Sequence, residues 1–321
     1  MTIIFITFLI FCLITAKYKN PVTHEYHEDF LSREDTLMVN GIFVFLVFLT
    51  HFSGYVENFF KVDAIYLKFN RFLGECVVCS FLFYSGYGLT EQIKKDRLPY
   101  LHKLVTKRFF SLWLKFAICV SLFIVLAFLM GNKPTAKQIL LSFVALDSVG
   151  NSAWYIFYML CAYLILYFSF RFTQNKNVSI ILLFLLTTLY TALVYILKND
   201  SPAYYLVSFV LPVGVTFSLY KEKLVGLLEK HFILAFLVLV ICYTFSFIVR
   251  HILKLGGWSY SLTAVFFTLI LLCLTTKIQF QNKIIKFLGS YVFEIYILQR
   301  LPMIALRPLY IRWGGYSCIA I

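Results

Sequence analysis

Apolar residues run in long stretches along this chain, and polar residues gather between them. Ten mostly apolar stretches fall near 2–16, 37–56, 72–90, 109–130, 152–170, 178–197, 203–220, 231–250, 258–276 and 284–306. A helix of about 20 residues, rising ~1.5 Å per residue, crosses the ~30 Å hydrocarbon core of a bilayer and satisfies its own backbone groups. The pattern therefore predicts an all-α, polytopic bundle of about ten transmembrane helices, with residues 1–321 forming one membrane domain. The first stretch lacks the positively charged start of a secretory signal and is read as a span of its own.

Composition strengthens this reading. Hydrophobic residues make up 61% of the 321 positions and charged residues 14%, where soluble domains have roughly 45–50% and about 25%. So few charges do not cover a water-facing surface. The net charge of +14 does not indicate nucleic acid, because Lys and Arg lie in short segments between apolar stretches and form no continuous basic face. Their distribution is informative about topology instead. Segments 17–36, 91–108, 171–177, 221–230 and 277–287 hold 17 of them, against 11 in the alternate connections and the C-terminal end. The positive-inside rule then places the richer set in the cytoplasm and both termini outside, in a multi-pass protein of a bacterial inner or plasma membrane.

The eight cysteines form no disulfide framework: seven lie in apolar stretches and Cys318 sits in the tail. Cys76 and Cys79 make a Cys-x-x-Cys pair, but no loop supplies the second pair that thiol oxidoreductases of membranes need, so they are read as small apolar side chains. His24 and His27 lie in a polar loop, and no other histidine stands at metal-ligand spacing. No metal and no bound cofactor is expected.

Ionisable groups at membrane depth are costly unless paired, which makes His51, Glu75, Lys115 and Glu294 candidates for function. Glu75 and Lys115 are read as an interhelical ion pair, with Lys115 alternatively reaching its own interface. His51 ends a run of helix that starts at Asn40, eleven residues and about 16 Å away. It is either a hydrogen-bonded interfacial residue or a reactive one. Phe83-Tyr-Ser85-Gly86-Tyr87-Gly88 is no nucleophile elbow, since Phe83 and Tyr87 occupy the two glycine positions of that motif. Its small residues predict close helix packing, with Ser85 facing a neighbour or a cavity.

Three segments, in order, resemble the acyltransferase 3 family, polytopic enzymes that O-acylate bacterial surface carbohydrates. The first runs from Phe30-Leu-Ser-Arg-Glu-Asp-Thr36 through Asn40-Gly41-Ile42 to Thr50-His51-Phe52 and is similar to the family's opening helix with its histidine. The second is Phe81-Leu-Phe-Tyr-Ser85-Gly86-Tyr87 with the basic connection up to Lys107-Arg108. The third, Phe287-Leu-Gly289 through Glu294-Ile-Tyr296 to Gln299-Arg300-Leu-Pro302, resembles the signature of the last helix. Asn151-Ser-Ala-Trp154-Tyr155 resembles an aromatic element that opens a middle helix. The likeness spans about residues 25–305. Asn40 stands where the family commonly has arginine or lysine, and Gln299 where many members have histidine.

The resemblance implies an O-acyltransferase that takes an acyl group, in the first instance acetyl, from cytoplasmic acyl-CoA to a hydroxyl of a glycan or lipid-linked saccharide. His51 would be the general base, a role suited to imidazole. Lys107 and Arg108 would hold the phosphates of acyl-CoA, unless they serve topology alone. Asn40, Ser85, Tyr87, Trp154, Tyr155, Glu294 and Gln299 would contact substrate. Glu294 and Gln299 are five residues apart, about 140° around a helix, so Glu294, Tyr296 and Gln299 cannot all face one cavity. Two rival readings stand beside this one: a glycan or lipid transporter or flippase, and an inactive acyltransferase-like scaffold. The prolines show no paired helix breaks of the kind common in transporters.

Overall fold

The computed structural model describes residues 1–312 apart from His24, 57–58 and 253–255; Cys318 and His24 thus lie outside the described residues. In chain order the helices are α1 (Thr2–Ile14), α2 (Arg33–Ser53), α3 (Ala64–Leu73), α4 (Cys79–Lys95), α5 (Arg97–Lys103), α6 (Phe110–Leu129), α7 (Ala136–Phe143) and α8 (Trp154–Arg171). There follow α9 (Lys176–Leu197), α10 (Val210–Leu219), α11 (Lys221–Lys230), α12 (Phe232–His251), α13 (Gly256–Thr275), α14 (Lys283–Ser290), α15 (Val292–Leu298) and α16 (Arg300–Arg312). Two short strands, β1 (Ala16–Tyr18) and β2 (Ile278–Phe280), pair antiparallel with Ala16 opposite Phe280.

The fold is all-α in its membrane part, and all ten apolar stretches carry helix, but among the described residues not all ten carry a helix long enough to count as a full span. Among the described residues, seven segments are long and apolar enough to cross a bilayer: Arg33–Ser53, Lys61–Lys95, Arg97–Leu129, Trp154–Arg171, Lys176–Leu197, Phe232–His251 and Gly257–Thr275. Helices α1 and α10 are apolar but short, at 13 and 10 residues. The last stretch is broken into α14, α15 and α16 at Tyr291 and Gln299. The second break has a local cause. Pro302 lies in the first turn of α16, where a missing N–H is tolerated, and it cannot bond back to Leu298 as an uninterrupted helix requires.

Side-chain caps begin α2, α9 and α14 at one end of the bundle. Ser32 Oγ accepts from Asp35 N at 3.1 Å ahead of α2, with Glu34 and Asp35 in its first turn. Asn175 caps α9 and Asn282 caps α14 through their side-chain oxygens. These caps satisfy backbone donors that have no partner within the helix, and the acidic first turn of α2 suits its dipole.

Two glycine crossings hold the centre. Gly289 of α14 lies against the Leu37 carbonyl of α2, and Gly41 of α2 against the Ile285 carbonyl of α14. Gly86 of α4 and Gly214 of α10 likewise rest on the Leu211 and Phe83 carbonyls. Backbones this close admit only hydrogen between them, which is how helices associate where lipid offers little hydrophobic drive. Of the small residues around Ser85, Gly86 packs closely as the sequence predicted, while nothing stands within 4 Å of a Cβ built at Gly88.

All five basic segments come together at one end. Arg97 Nε donates to the Phe170 carbonyl at 2.9 Å, and Arg97 also reaches the Thr173 carbonyl. Lys94 Nζ donates to the Ser218 carbonyl at 3.1 Å, and Tyr220 bonds Asn177. Lys277 is buried and donates to the carbonyls of Thr23, at 2.9 Å, and Glu25, with the Phe232 ring 5.0 Å away. At the opposite end, Tyr204 Oη donates to the Ala145 carbonyl at 2.9 Å and Tyr260 Oη bonds the Glu75 backbone N–H at 2.8 Å.

Candidate functional site

At that opposite end the last turn of α2 meets the break between α15 and α16. His51 Nδ1 lies 2.9 Å from Gln299 Nε2. The same Gln299 nitrogen donates to the Tyr296 carbonyl at 3.1 Å, and Gln299 Oε1 is buried with no partner. The meeting follows from the fold below it. Helices α2 and α14 run up together from the basic end, fixed at the Gly41–Gly289 crossing, so ten residues on, Gln299 arrives level with His51. Tyr296 and Gln299, three residues apart, share a face of the helix and both turn inward. Glu294 does not: it is exposed, on the other side of α15.

Aromatic rings extend the site inward. The Tyr296 ring is 6.2 Å from the His51 ring and 5.1 Å from Tyr155. Tyr155 meets Phe81 at 6.3 Å and Trp154 at 6.0 Å, edge to face, and Ser85 stands by its hydroxyl. Tyr296 Oη is buried without a partner, beside Ser152. On the far side Arg300 lies close enough for its charge to act on His51, and its Nε donates to Tyr55 Oη at 3.3 Å. Imidazole, phenol and guanidinium thus converge on one place, a set that can move a proton and stabilise negative charge.

The sense of the His51–Gln299 hydrogen bond matters. With Gln299 Nε2 as donor, Nδ1 accepts and a neutral imidazole carries its hydrogen on Nε2. In that state Nε2 is a hydrogen-bond donor. With the amide turned by 180°, Oε1 accepts from Nδ1–H and leaves the Nε2 lone pair free. Amide nitrogen and oxygen have nearly the same shape, so the two arrangements differ in which hydrogen bonds each satisfies. The first also serves the Tyr296 carbonyl, and the second frees the base.

Several residues read from the sequence fall elsewhere. Tyr87 is buried near the basic end, with Lys221 Nζ 5.7 Å from its ring and Phe217 at 6.4 Å. Lys107 and Arg108 are exposed, in a π-helical stretch, Leu104–Phe109, that widens the entry to α6. Arg108 covers the Tyr100 ring at 5.4 Å. Asn40 lies on the inner part of α2, half-buried, with Oδ1 lacking any partner. Glu75 and Lys115 do not pair. The Glu75 carboxylate accepts from Tyr260 Oη, whose ring carries Arg250 at 3.5 Å, while Lys115 is exposed on α6. Among the described residues no three His, Cys, Asp or Glu side chains group as a metal site.

An open cavity of about 430 Å³ lies at the same end, bounded by Phe123, Leu126, Asn132, Lys133, Gln138 and Ile304, among others. None of the residues singled out in the sequence lines it. Sequence reasoning also missed Arg300, Tyr55 and Ser152. Arg300 directly follows Gln299 and Ser152 stands two residues before Trp154, but only the fold shows that Arg300 lies near His51 and Ser152 beside Tyr296.

Neither a curated protein nor a solved structure matches the chain. A family model described as an acyltransferase domain matches residues 39–319, from just before Asn40 to beyond the Gln299 helix. The chain belongs to the acyltransferase 3 family, membrane enzymes that transfer acyl groups other than amino-acyl groups.

Proposed function

We propose that this protein moves an acyl group, acetyl in the first instance, from cytoplasmic acyl-CoA to a hydroxyl of a glycan or lipid-linked saccharide presented at the opposite membrane face. The observation that carries the reading is the His51–Gln299 contact, which joins the family's histidine to its last signature. The basic end supports a CoA donor: Lys107 and Arg108 are exposed there, and phosphates favour charge-assisted contacts. From there the face of α8 leads inward past Tyr163, whose phenol feels the Arg108 charge, to Tyr155 beside Tyr296. Tyr155 and Tyr163 are eight residues apart, about 12 Å, a distance the extended pantetheine arm bridges.

In the step itself, His51 Nε2 takes the acceptor hydroxyl's proton as that oxygen attacks the thioester carbonyl. For this, Gln299 already has Oε1 turned to Nδ1–H, which leaves the Nε2 lone pair free, and the same contact steadies the imidazolium that forms. Tyr296 Oη, which has no partner of its own, is the donor available to the developing oxyanion, with Arg300 adding positive charge. When the C–S bond breaks, the CoA sulfur leaves as thiolate and recovers the proton from His51. Ester and free CoA are the products.

The test uses the purified chain in proteoliposomes, with labelled acetyl-CoA and the surface saccharides of the source cells. Labelled ester on a saccharide supports the reading. Absence of transfer from acetyl-, propionyl- and longer acyl-CoA alike, from protein that remains monodisperse, overturns it.

A further inference from the structure

Lys115 and Glu294 play no part in the site, yet both are ionisable and both are exposed on the flank of the bundle. Lys115 is seven residues beyond Arg108 and Glu294 eight beyond Lys286, so each stands about 10–12 Å inward from the basic end. They are neighbours across the groove between α6 and α15. Lys115 Nζ lies 5.7 Å from the Phe293 ring, and the Glu294 charge reaches Cys119, one turn past Lys115. Among the described residues neither forms an ion pair, within the groove or outside it. A lysine stem is long enough to lead its charge back to the interface; a glutamate stem is not. A carboxylate on a lipid-facing flank at this depth calls for a partner.

The surrounding face is apolar. Leu114, Ile118, Leu122 and Val125 are exposed along α6, at helical spacing on one side. A patch with one cation and one anion side by side in an apolar setting is complementary to itself under a two-fold rotation. In an isologous interface, residue i meets j and j meets i. We infer that this flank is a homodimer interface, in which Lys115 of each copy pairs with Glu294 of the other. An unrelated helix would need both charges at the matching spacing, whereas a second copy supplies both by symmetry.

Two differently tagged copies co-expressed in one membrane provide the test, read as the share of one copy retained when the other is captured in mild detergent. Wild-type copies should co-purify. Lys115→Glu with itself, or Glu294→Lys with itself, places like charges together, and retention should fall about tenfold or more. A Lys115→Glu copy with a Glu294→Lys copy restores opposite charges across the axis and should restore retention. That rescue separates an intermolecular pair from an effect within one chain. The neutral variants Lys115→Met and Glu294→Gln should each lower retention without reversal of charge. The interface is overturned if wild-type copies do not co-purify, if the single variants self-associate like wild type, or if the mixed pair is retained no better than the singles.

Discussion

Replacing Gly289 by alanine puts one methyl group where the fold has none to spare. A Cβ there would run into the Leu37 carbonyl and sit 3.1 Å from the Gly41 nitrogen. Both obstacles are backbone, so no rotamer change relieves them, and α2 and α14 must part by about 1 Å or shift along each other. Overpacking of this kind costs about 1–3 kcal/mol. The strain is felt beyond the crossing. Gln299 is ten residues further along the same broken helix, and its 2.9 Å contact with His51 fails once the atoms separate past about 3.5 Å. A catalytic group misplaced by ~1 Å can lose ~10²-fold in rate. Gly289→Ala should therefore melt several degrees below wild type in detergent and transfer acyl groups at least tenfold more slowly per folded molecule. Gly226→Ala is the control: nothing lies within 4 Å of its would-be Cβ, and alanine in a helix is favoured by up to ~1 kcal/mol. Gly289→Ala with wild-type melting and turnover would refute the close-crossing account.

Three further outcomes follow from the site and the charge pattern. Gln299→Leu removes the partner of His51 Nδ1 and should lower turnover at unchanged fold, whereas Gln299→Glu, whose carboxylate only accepts from Nδ1–H, should retain far more; equal turnover in the two contradicts the assigned role of the amide. Lys107→Gln with Arg108→Gln should raise the KM for acyl-CoA through loss of charge-assisted phosphate contacts, and an unchanged KM would leave these residues a topological role only. Cysteines placed at Lys95 and Lys133 should label from the cytoplasmic and outer faces respectively with an impermeant reagent; the reverse pattern in intact spheroplasts inverts the topology.

The sequence made the helices legible because lipid-exposed helix is written locally, as runs of apolar residues with basic ends. It also carried the cue for one break, Pro302, which was read only as part of a motif. The shortness of α10 was not legible. Residues before it leave the helical path, with the Tyr204 carbonyl bonded by Tyr190 Oη at 2.7 Å from another helix, and such long-range donors leave no trace in local hydropathy. The β1–β2 pairing and the Lys277 clasp on Thr23 and Glu25 were hidden for the same reason: they join segments about 250 residues apart. Within the site, helical spacing showed that Glu294 and Gln299 diverge, as they do, but not which would face inward. His51 and Gln299 lie on separate helices, and only the resemblance to a family suggested a common site. Tyr87 lies near the basic end, apart from His51, a placement the sequence did not show because a place in a motif says nothing of height along α4.

Turnover of two variants tests the role of His51 as general base most directly. His51→Ala and His51→Gln are compared with wild type as acyl transfer per molecule of membrane-inserted, monodisperse protein. Glutamine keeps a hydrogen-bonding side chain next to Gln299 but cannot accept the proton at neutral pH, and a general acid–base group typically contributes ~10²–10⁴-fold in rate. Both variants should fall by at least a hundredfold while inserting and eluting normally. Near-normal transfer by His51→Gln would contradict the account.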